Sequence, residues 1–545
     1  VLNLPEKIRL SRWARVVEQK VNPEKPMVVL AHGLSGNSLR VSRATVDFVQ
    51  SLPESISRKE LLRRVDSKSQ GPLRLLAEKK LLVDANLADE FSLFLDQYPL
   101  WSLGILASQS EGELLFLAVG SERELKLSGW EKEFVLRCDG RRTLRVLQKE
   151  CNQSVDSLRI LLEKLTQPDF QLLRISSVSV DAPEFRNGEG IDFFVTDWAH
   201  SAEVLKAKEL ARKGGTVDLE EFHQHGISDA FAEFNEVEIT LAHAFREPNI
   251  ALGGFSYGGA FFETLWRWRS ILPGAKVVEV GGGTGIFARE MRRAAKRKGL
   301  VLDYTIVDLS PALQASQKKI NAEFPTQYVL QNAERLKLPK KSVDLLVSNE
   351  VIADFRAVKL KKSDLKKRQL SGNAGKALAF IKKYELQLQD APEEFYFNFG
   401  AALFLERIQA VLAPGGTAVI TEFGDFAYPT ATHHLNHDEY SIHWGHMLQL
   451  AHALGLKATL QDMGSLVPFN HHIEMFSGDI FELNRILRKH NRKELEPRAY
   501  AREELEILLA PHADLRIHGL RYAPFYEETY WGPSLSDFQA LIVRK

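Results

Sequence analysis

Two kinds of apolar patterning divide the chain. Beyond residue 275, short and nearly continuous apolar runs recur, each closed by glycine, an acid or an amide: KVVEVGGG (276–283), LDYTIVDLS (302–310), QYVLQNAE (327–334), SVDLLVSNE (342–350) and TAVITEFGDF (417–426). Segments with apolar residues three and four apart lie between several of them, as in IFAREMRRAAKRKG (286–299). Runs apolar on both faces that alternate with helices predict a parallel sheet covered on both sides. LGLKATLQDMG and FQALIVRK supply two further strands near the end, the latter as an antiparallel partner. Ahead of this region, VDLEEFHQHGISDAFAEFNEVEITLAHAF (217–245) places Ile227, Phe231, Phe234, Leu241 and Phe245 near helical spacing, and Pro248 ends it. The expectation there is a connecting helix rather than a site, with His223, His225 and His243 structural or exposed.

The first half is patterned differently, and it repeats. LAHGLSGNSLRVSRATVDFVQSL (30–52) aligns with LAVGSERELKLSGWEKEFVLRC (117–138), each reading strand, turn, strand, helix. Two more helical stretches follow in each copy, ISRKELLRRV and PLRLLAEKKLLVD in the first, TLRVLQKE and SVDSLRILLEKL in the second. A hairpin with three helices is the plan of a winged-helix module, and the period of about ninety residues implies two in tandem. The phrase LRCDGRRTLRVL (136–147) resembles the helix-to-helix turn of PqqD-like peptide-recognition domains. That resemblance implies a leader peptide held as an added strand on the hairpin edge. Modules that only pack or dimerise are the alternative, which would make the chain a homodimer. Neither recognition-helix position carries a basic set of base-reading side chains, so nucleic acid is not the expected partner. The domains read as 1–98 and 99–180 for the α+β winged-helix modules, 181–250 for the connecting helical segment, and 251–545 for the α/β domain with an insertion at about 355–400.

Composition narrows the classes without choosing among them. The 545 residues hold 71 basic and 71 acidic side chains, so bulk charge predicts no general affinity for nucleic acid or membrane. Only two cysteines occur, Cys138 and Cys151, which fits a reducing, cytoplasmic compartment. No run approaches a membrane span.

The glycine loop carries the chemistry. In KVVEVGGGTGIFARE (276–290) the order is Glu279-x-Gly281-x-Gly283-x-Gly285, and residue 286, where a dinucleotide fold would need its third glycine, is Ile. This order resembles motif I of class I S-adenosylmethionine methyltransferases, a Rossmann-like fold with a seven-stranded sheet, and the later strands follow in that family's sequence over about 290 residues. The resemblance implies S-adenosylmethionine as cofactor, held by Tyr257, Glu279, Gly281, Gly283, Gly285, Asp308, Asn332, Ala333 and Ser348. Asp308 would accept from both ribose hydroxyls, and Asn332-Ala333-Glu334 would meet the adenine. SNEVIADF (348–355) with EFGDF (422–426) is also similar to protein-arginine methyltransferases of the type that includes a mitochondrial complex I assembly factor. Asn349 and Glu350 match that family; Asp354 stands one residue late, and Glu422-Phe423-Gly424 replaces its Asp-Tyr-Gly. Glu350, Asn349, Asp354, Glu422 and His437 are the candidate catalytic residues, since carboxylates at the C-terminal sheet edge can orient and deprotonate a nitrogen acceptor. Asp425 lies at the same edge.

Three further features need a reading. Gly254-Phe-Ser256-Tyr-Gly258 spells a nucleophile elbow, yet no central strand precedes it, so Ser256 and Tyr257 read as cofactor cover rather than hydrolase chemistry. The tract 432–452 holds six of the sixteen histidines; metal binding, a role in the acceptor pocket and packing all remain open, with no fixed metal motif present. Residues 356–383 carry ten Lys and Arg against Asp364 alone, either a solvated helix or a lid facing an acidic partner. The expected function is methylation of a peptide or protein, such as a ribosomally synthesised natural-product precursor peptide, recruited through the PqqD-like module. The alternatives are a small-molecule or protein-arginine N-methyltransferase with dimerising modules, and a non-enzymatic cofactor sensor.

Overall fold

A computed structural model describes residues 4–19, 27–34, 38–41, 43–64, 73, 75–77, 80–102, 105–110, 112–117, 124–167, 170–182, 219–227, 240–433, 438–478, 480–524 and 538–545. The chain divides into two compact units. One comprises Val1–Glu209, Gly478–Glu494 and Ala510–Leu520; the other comprises Leu210–Ser477, Leu495–Leu509 and Arg521–Lys545. No helix among the described residues is long and apolar enough to cross a membrane.

In the first unit the repeat is visible in the backbone. Strands Ala14–Gln19, Met27–His32 and Ser38–Val41 form an antiparallel meander followed by helix Arg43–Gln50. Ala107–Ser110, Glu113–Leu117 and Glu124–Leu127 form a second, followed by helix Gly129–Leu136. Each sheet thus has one strand more than the hairpin expected from the sequence. Each copy also closes on itself, Lys7–Leu10 pairing Leu82–Asp84 and Tyr98–Trp101 pairing Leu173–Ser176. Helix Val155–Leu165 buries Leu158, Leu161, Leu162 and Leu165, a stripe at helical spacing.

The CDGRRT phrase has a local explanation. Gly140 adopts φ +77°, and a Cβ there would fall 2.3 Å from Val180 Cγ1. Its N–H donates to Pro99 O at 2.9 Å, while its carbonyl accepts from Val180 N at 3.0 Å. Asp139 Oδ1 accepts from Arg141 N, and Arg142 reaches Asp139, Glu150 and the Arg137 carbonyl. Thr143 then caps helix Leu144–Glu150.

The second unit is built on one mixed sheet. Its strands are β1 (Lys276–Val280), β2 (Asp303–Asp308), β3 (Gln327–Leu330), β4 (Val343–Asn349), β5 (Leu412–Asp425), β6 (Lys457–Asp462) and β7 (Phe538–Arg544). They lie in the order β3-β2-β1-β4-β5-β7-β6, and a short strand Ile442–His443 runs beside the end of β5. All of β1 to β5 pair in parallel; β7 alone runs antiparallel, between β5 and β6. The helices that position the site are α1 (Tyr257–Arg267), α2 (Ile286–Arg297), α3 (Pro311–Ile320), α4 (Gly372–Lys383), α5 (Phe399–Val411) and α6 (Trp444–Ala453). Alternation along the strands feeds two cores. Val277, Leu345, Val347 and Val419 pack with α1 and α2, whereas Val278, Leu346, Ala418 and Ile420 pack with α5 and α6. Each strand therefore reads as a continuous apolar run.

The basic insertion between β4 and β5 is ordered. Val358–Lys361 pairs antiparallel with Glu394–Phe397 and α4 lies between them, with Lys359 and Lys361 near Glu394 and Lys383 near Glu406.

Candidate functional site

The order of a parallel sheet reverses between β1 and β4, and a crevice opens outside the C-terminal strand ends there. It holds a cavity of about 420 Å³, lined by the glycine loop, the ends of β2, β3 and β4, and parts of residues 220–243 and 438–440.

Backbone makes one side. Gly281, Gly283 and Gly285 have φ of +71°, +49° and +94°, which only glycine adopts readily. A Cβ on Gly281 would meet Val351 at 2.4 Å, and one on Gly282 would meet Ile306 at 2.6 Å. Side chains of α3 hold the loop in place: Gln317 Nε2 donates to Gly283 O at 3.0 Å, Ser316 Oγ to Thr284 O at 3.1 Å, and Asn321 Nδ2 to Gly285 O at 2.9 Å. Asp308, at the tip of β2, accepts from Ser310 N, Gly282 N and Gln317 Nε2. A carboxylate offers about four acceptor positions, so roughly one is left for a ligand hydroxyl rather than the two expected. Burial raises the Asp308 pKa above the usual carboxylate range.

Glu279 and Glu350 are two carboxyls on the wall that burial holds above the usual range. Glu279 accepts from Tyr304 Oη at 2.7 Å, and burial pushes its pKa up to about 7. Glu350 follows β4 with φ +54°, an uncommon backbone state for a side-chain-bearing residue. Both of its oxygens accept from Leu241 N, at 3.1 and 3.0 Å, and one also accepts from Asn349 Nδ2 at 2.9 Å. Burial pushes its pKa up to about 7 as well. Asn349 is a junction, since its Oδ1 accepts from Tyr257 Oη at 2.7 Å and Thr421 Oγ1 at 2.9 Å.

Among the sequence candidates, Glu279, Gly281, Gly283, Asp308, Asn332, Ala333, Asn349, Glu350 and Asp354 line the cavity. Tyr257 is buried behind Asn349, Gly285 begins α2, and Ser348 is buried within β4. Glu422 is buried too, with its oxygens accepting from Ala353 N and Phe423 N, and burial raises its pKa well above the usual range. Asp425 is exposed, and His437 lies outside the described residues.

Two histidines of the tract, His443 and His446, serve packing, whereas His452 is exposed. His443 and His446 are buried and stacked, with ring centroids 3.6 Å apart, against Tyr428. His443 Nδ1 accepts from His446 N and caps α6. Burial holds both imidazoles neutral, His446 down to about 3. Among the described residues no group of His, Cys, Asp or Glu is placed to hold a metal ion.

The connecting-helix expectation fails where residues are described. Leu219–Glu221 leads into a wide π turn at Phe222–Gly226, and a separate short helix spans Leu241–Ala244; Phe231 and Phe234 lie outside the described residues. His223, Ile227, Thr240 and His243 line the cavity instead. Periodicity could not show this, because contact with the cavity depends on Glu350 holding Leu241 across a separation of 109 residues. Asp438 and Tyr440 also line the cavity, on a strand that pairs locally with Ala431–His433.

Residues 259–493 match the model of a family described as a methyltransferase domain. No curated protein matches the chain. Among solved structures, the chain is similar to phosphoethanolamine N-methyltransferase 2 of Haemonchus contortus, in complex with phosphomonomethylethanolamine and S-adenosylhomocysteine. That similarity has 14% identity and a TM-score of 0.30, and covers 58% of this chain and 60% of that one. A superfamily protein of Burkholderia thailandensis, bound to S-adenosylhomocysteine, shows 16% identity and a TM-score of 0.33 over 63% of this chain and 94% of that one. With the family match, the strand order and the glycine loop together, the second unit contains an S-adenosylmethionine-dependent methyltransferase domain of class I fold. Its loop without side chains, α2 N-terminus, Asp308 and Asn332-Ala333 fit that cofactor.

Proposed function

We propose that the chain methylates a nitrogen on a peptide or protein. S-adenosylmethionine supplies an electrophilic methyl group on a sulfonium. The protein's own work is to hold the acceptor in line with it and to exclude water. The observation that carries the reading is the charge of the cavity wall. Seven carboxyl groups line it (Glu220, Glu279, Asp308, Glu334, Glu350, Asp354 and Asp438), against one guanidinium on the wall, Arg356, itself paired with Glu334. Of the seven, Glu279 and Glu350 are ionised only above about pH 7, and Glu220 pairs with Arg335. Such a wall favours cations, which suits a sulfonium and an amine or guanidinium together.

Support for a peptide comes from the first unit. Among the described residues, strand Glu124–Leu127 pairs only with Glu113–Leu117, so its other edge is available for an added strand. On the opposite edge of that sheet, Ala107 bonds to His518. Of Leu125→Pro and Lys126→Pro, the one whose N–H faces the open edge should raise KM for a long peptide at least tenfold and leave kcat at saturation nearly unchanged. A short acceptor peptide should be processed equally by the parent and that variant. Equal KM for the long peptide would remove the recruitment role. Removing residues 1–209 is a poor test, because Ile480, Leu483, Ile486 and Leu487 would then lose the unit to which they belong.

The same acidic wall also favours a second reading, an N-methyltransferase for small amines or a protein arginine, with modules that dimerise. Methylation of free amines by a chain that sediments as a dimer would support it.

A further inference from the structure

We propose that His223, oriented by Asp354, is the base that takes the proton from the acceptor, and that the acceptor is a protonated amine. The inference rests on the methyl-transfer reading above.

His223 sits in the Phe222–Gly226 turn on the cavity wall, with Nε2 3.5 Å from Asp354 Oδ2. The turn is anchored, since Phe222 and Ile227 pack on Leu313 of α3 and Glu220 pairs with Arg335. The other acids nearby are already engaged. Glu350 has both oxygens on Leu241 N, which makes it a clamp on that segment, and Glu422 has both oxygens on backbone N–H groups. Asp354 is the partner of His223.

The charges around His223 set its range. Burial disfavours the imidazolium, whereas Asp354, Asp308 and Glu439 favour it, and the net effect raises the pKa above that of free imidazole. The other charged groups on the wall are Glu220, Glu350, Asp438 and the Glu334-paired Arg356, and His243 is held neutral by burial with a pKa of about 3. An imidazole whose pKa is raised by neighbouring carboxylates matches the demand of an ammonium acceptor, whose lone pair is blocked until its proton leaves. That proton goes to the imidazole of His223, which Asp354 orients. The freed lone pair forms the N–C bond as the C–S bond breaks, and the C–S electron pair stays on sulfur. The imidazolium then returns its proton to water.

Two measurements on the full chain test this. In histidine-labelled NMR, the resonance missing from His223→Gln should titrate above about 6.5 in the parent and fall in Asp354→Asn. Titration at or below that value, or no response to Asp354→Asn, overturns the pair. For activity, the probe is a set of lysine-, arginine- and α-amine-bearing peptides with matched serine and glutamate peptides. His223→Gln should lower kcat about 100-fold or more and lose the acid limb of the pH profile. Calorimetry should find its affinity for S-adenosylmethionine within threefold of the parent. Unchanged turnover, or a methyl mapped to oxygen, overturns the proposal. If the parent chain itself binds no S-adenosylmethionine, the methyl-transfer reading fails, whatever His223 does in NMR.

Discussion

The two halves of the cavity are held by different means. The cofactor half is a backbone cast. Its glycine loop, Asp308 and the α3 side chains that brace the loop all lie between residues 276 and 321, within one β-α-β-α stretch. The half proposed for the acceptor is assembled from side chains on segments far apart in sequence, each resting on another: Leu241 on Glu350, and His223 on Asp354. A change in the first half should therefore disturb fold and cofactor together. One in the second should alter chemistry while the fold persists.

The largest effect belongs to the cast. In Gly285→Ala the new Cβ would lie 2.8 Å from Gln317 Cα and 2.6 Å from Asn321 Nδ2, at φ +94°. Overpacking and left-handed strain each cost about 1–3 kcal/mol, so a loss of about 3–5 kcal/mol in denaturant unfolding is expected, with cofactor binding undetectable. A variant with parental stability would show that the loop yields more easily than a cast should.

Next comes a pH effect on stability. Glu279 titrates at about 7 in the folded chain against 4.5 in an ordinary setting, so the folded state holds its proton more tightly. Its contribution is fully present below about pH 4.5 and is lost as pH rises through about 7, a span worth roughly 3 kcal/mol. Glu279→Gln should flatten that decline and be the more stable form at pH 8. The residual slope should come from Glu350, whose pKa is also about 7, and from Glu422 and Asp308, which burial also raises. A decline undiminished in Glu279→Gln would mean that Glu279 is not the buried acid responsible.

The same division explains what could be read from the chain. Strand tips in a parallel sheet fall along one edge, so Asp308, Asn332 and Asn349 were placed by counting apolar runs, and the glycine spacing located the loop. The braces Ser316, Gln317 and Asn321 sit on a helix with ordinary polar spacing, and nothing in the pattern singles them out. His223 was hidden differently. Its segment reads as an amphipathic helix, but a π turn re-aims the side chain. His443 and His446 misled in the opposite sense, because polar residue types in sequence became a neutral stacked pair in the core.

The halves can also be separated by affinity. Asp308→Ala should weaken S-adenosylmethionine binding by about 1.5–3 kcal/mol, or roughly 10- to 100-fold, the worth of a hydrogen bond to a charged group together with loss of its hold on Gly282 N. Glu350→Gln should leave that affinity within threefold and lower turnover, because its oxygens hold the acceptor-side segment. Equal losses of affinity in both variants would erase the division.

The smallest effect concerns Ser256, the residue that spells a hydrolase elbow. It is buried at the N-cap of α1, where its Oγ accepts from Gly259 N at 3.3 Å and donates to Glu290 Oε2 at 3.3 Å. Neither partner is a histidine: one contact begins α1 and the other ties its start to α2. Ser256→Ala should cost about 1 kcal/mol of stability, the ordinary worth of such a cap, and leave methyl transfer intact. A fluorophosphonate should not label the chain, since an Oγ engaged with a carboxylate and a helix N–H lacks the base that would activate it. Stoichiometric labelling at Ser256 would place a reactive nucleophile outside the cavity, and the methyltransferase site could not account for it.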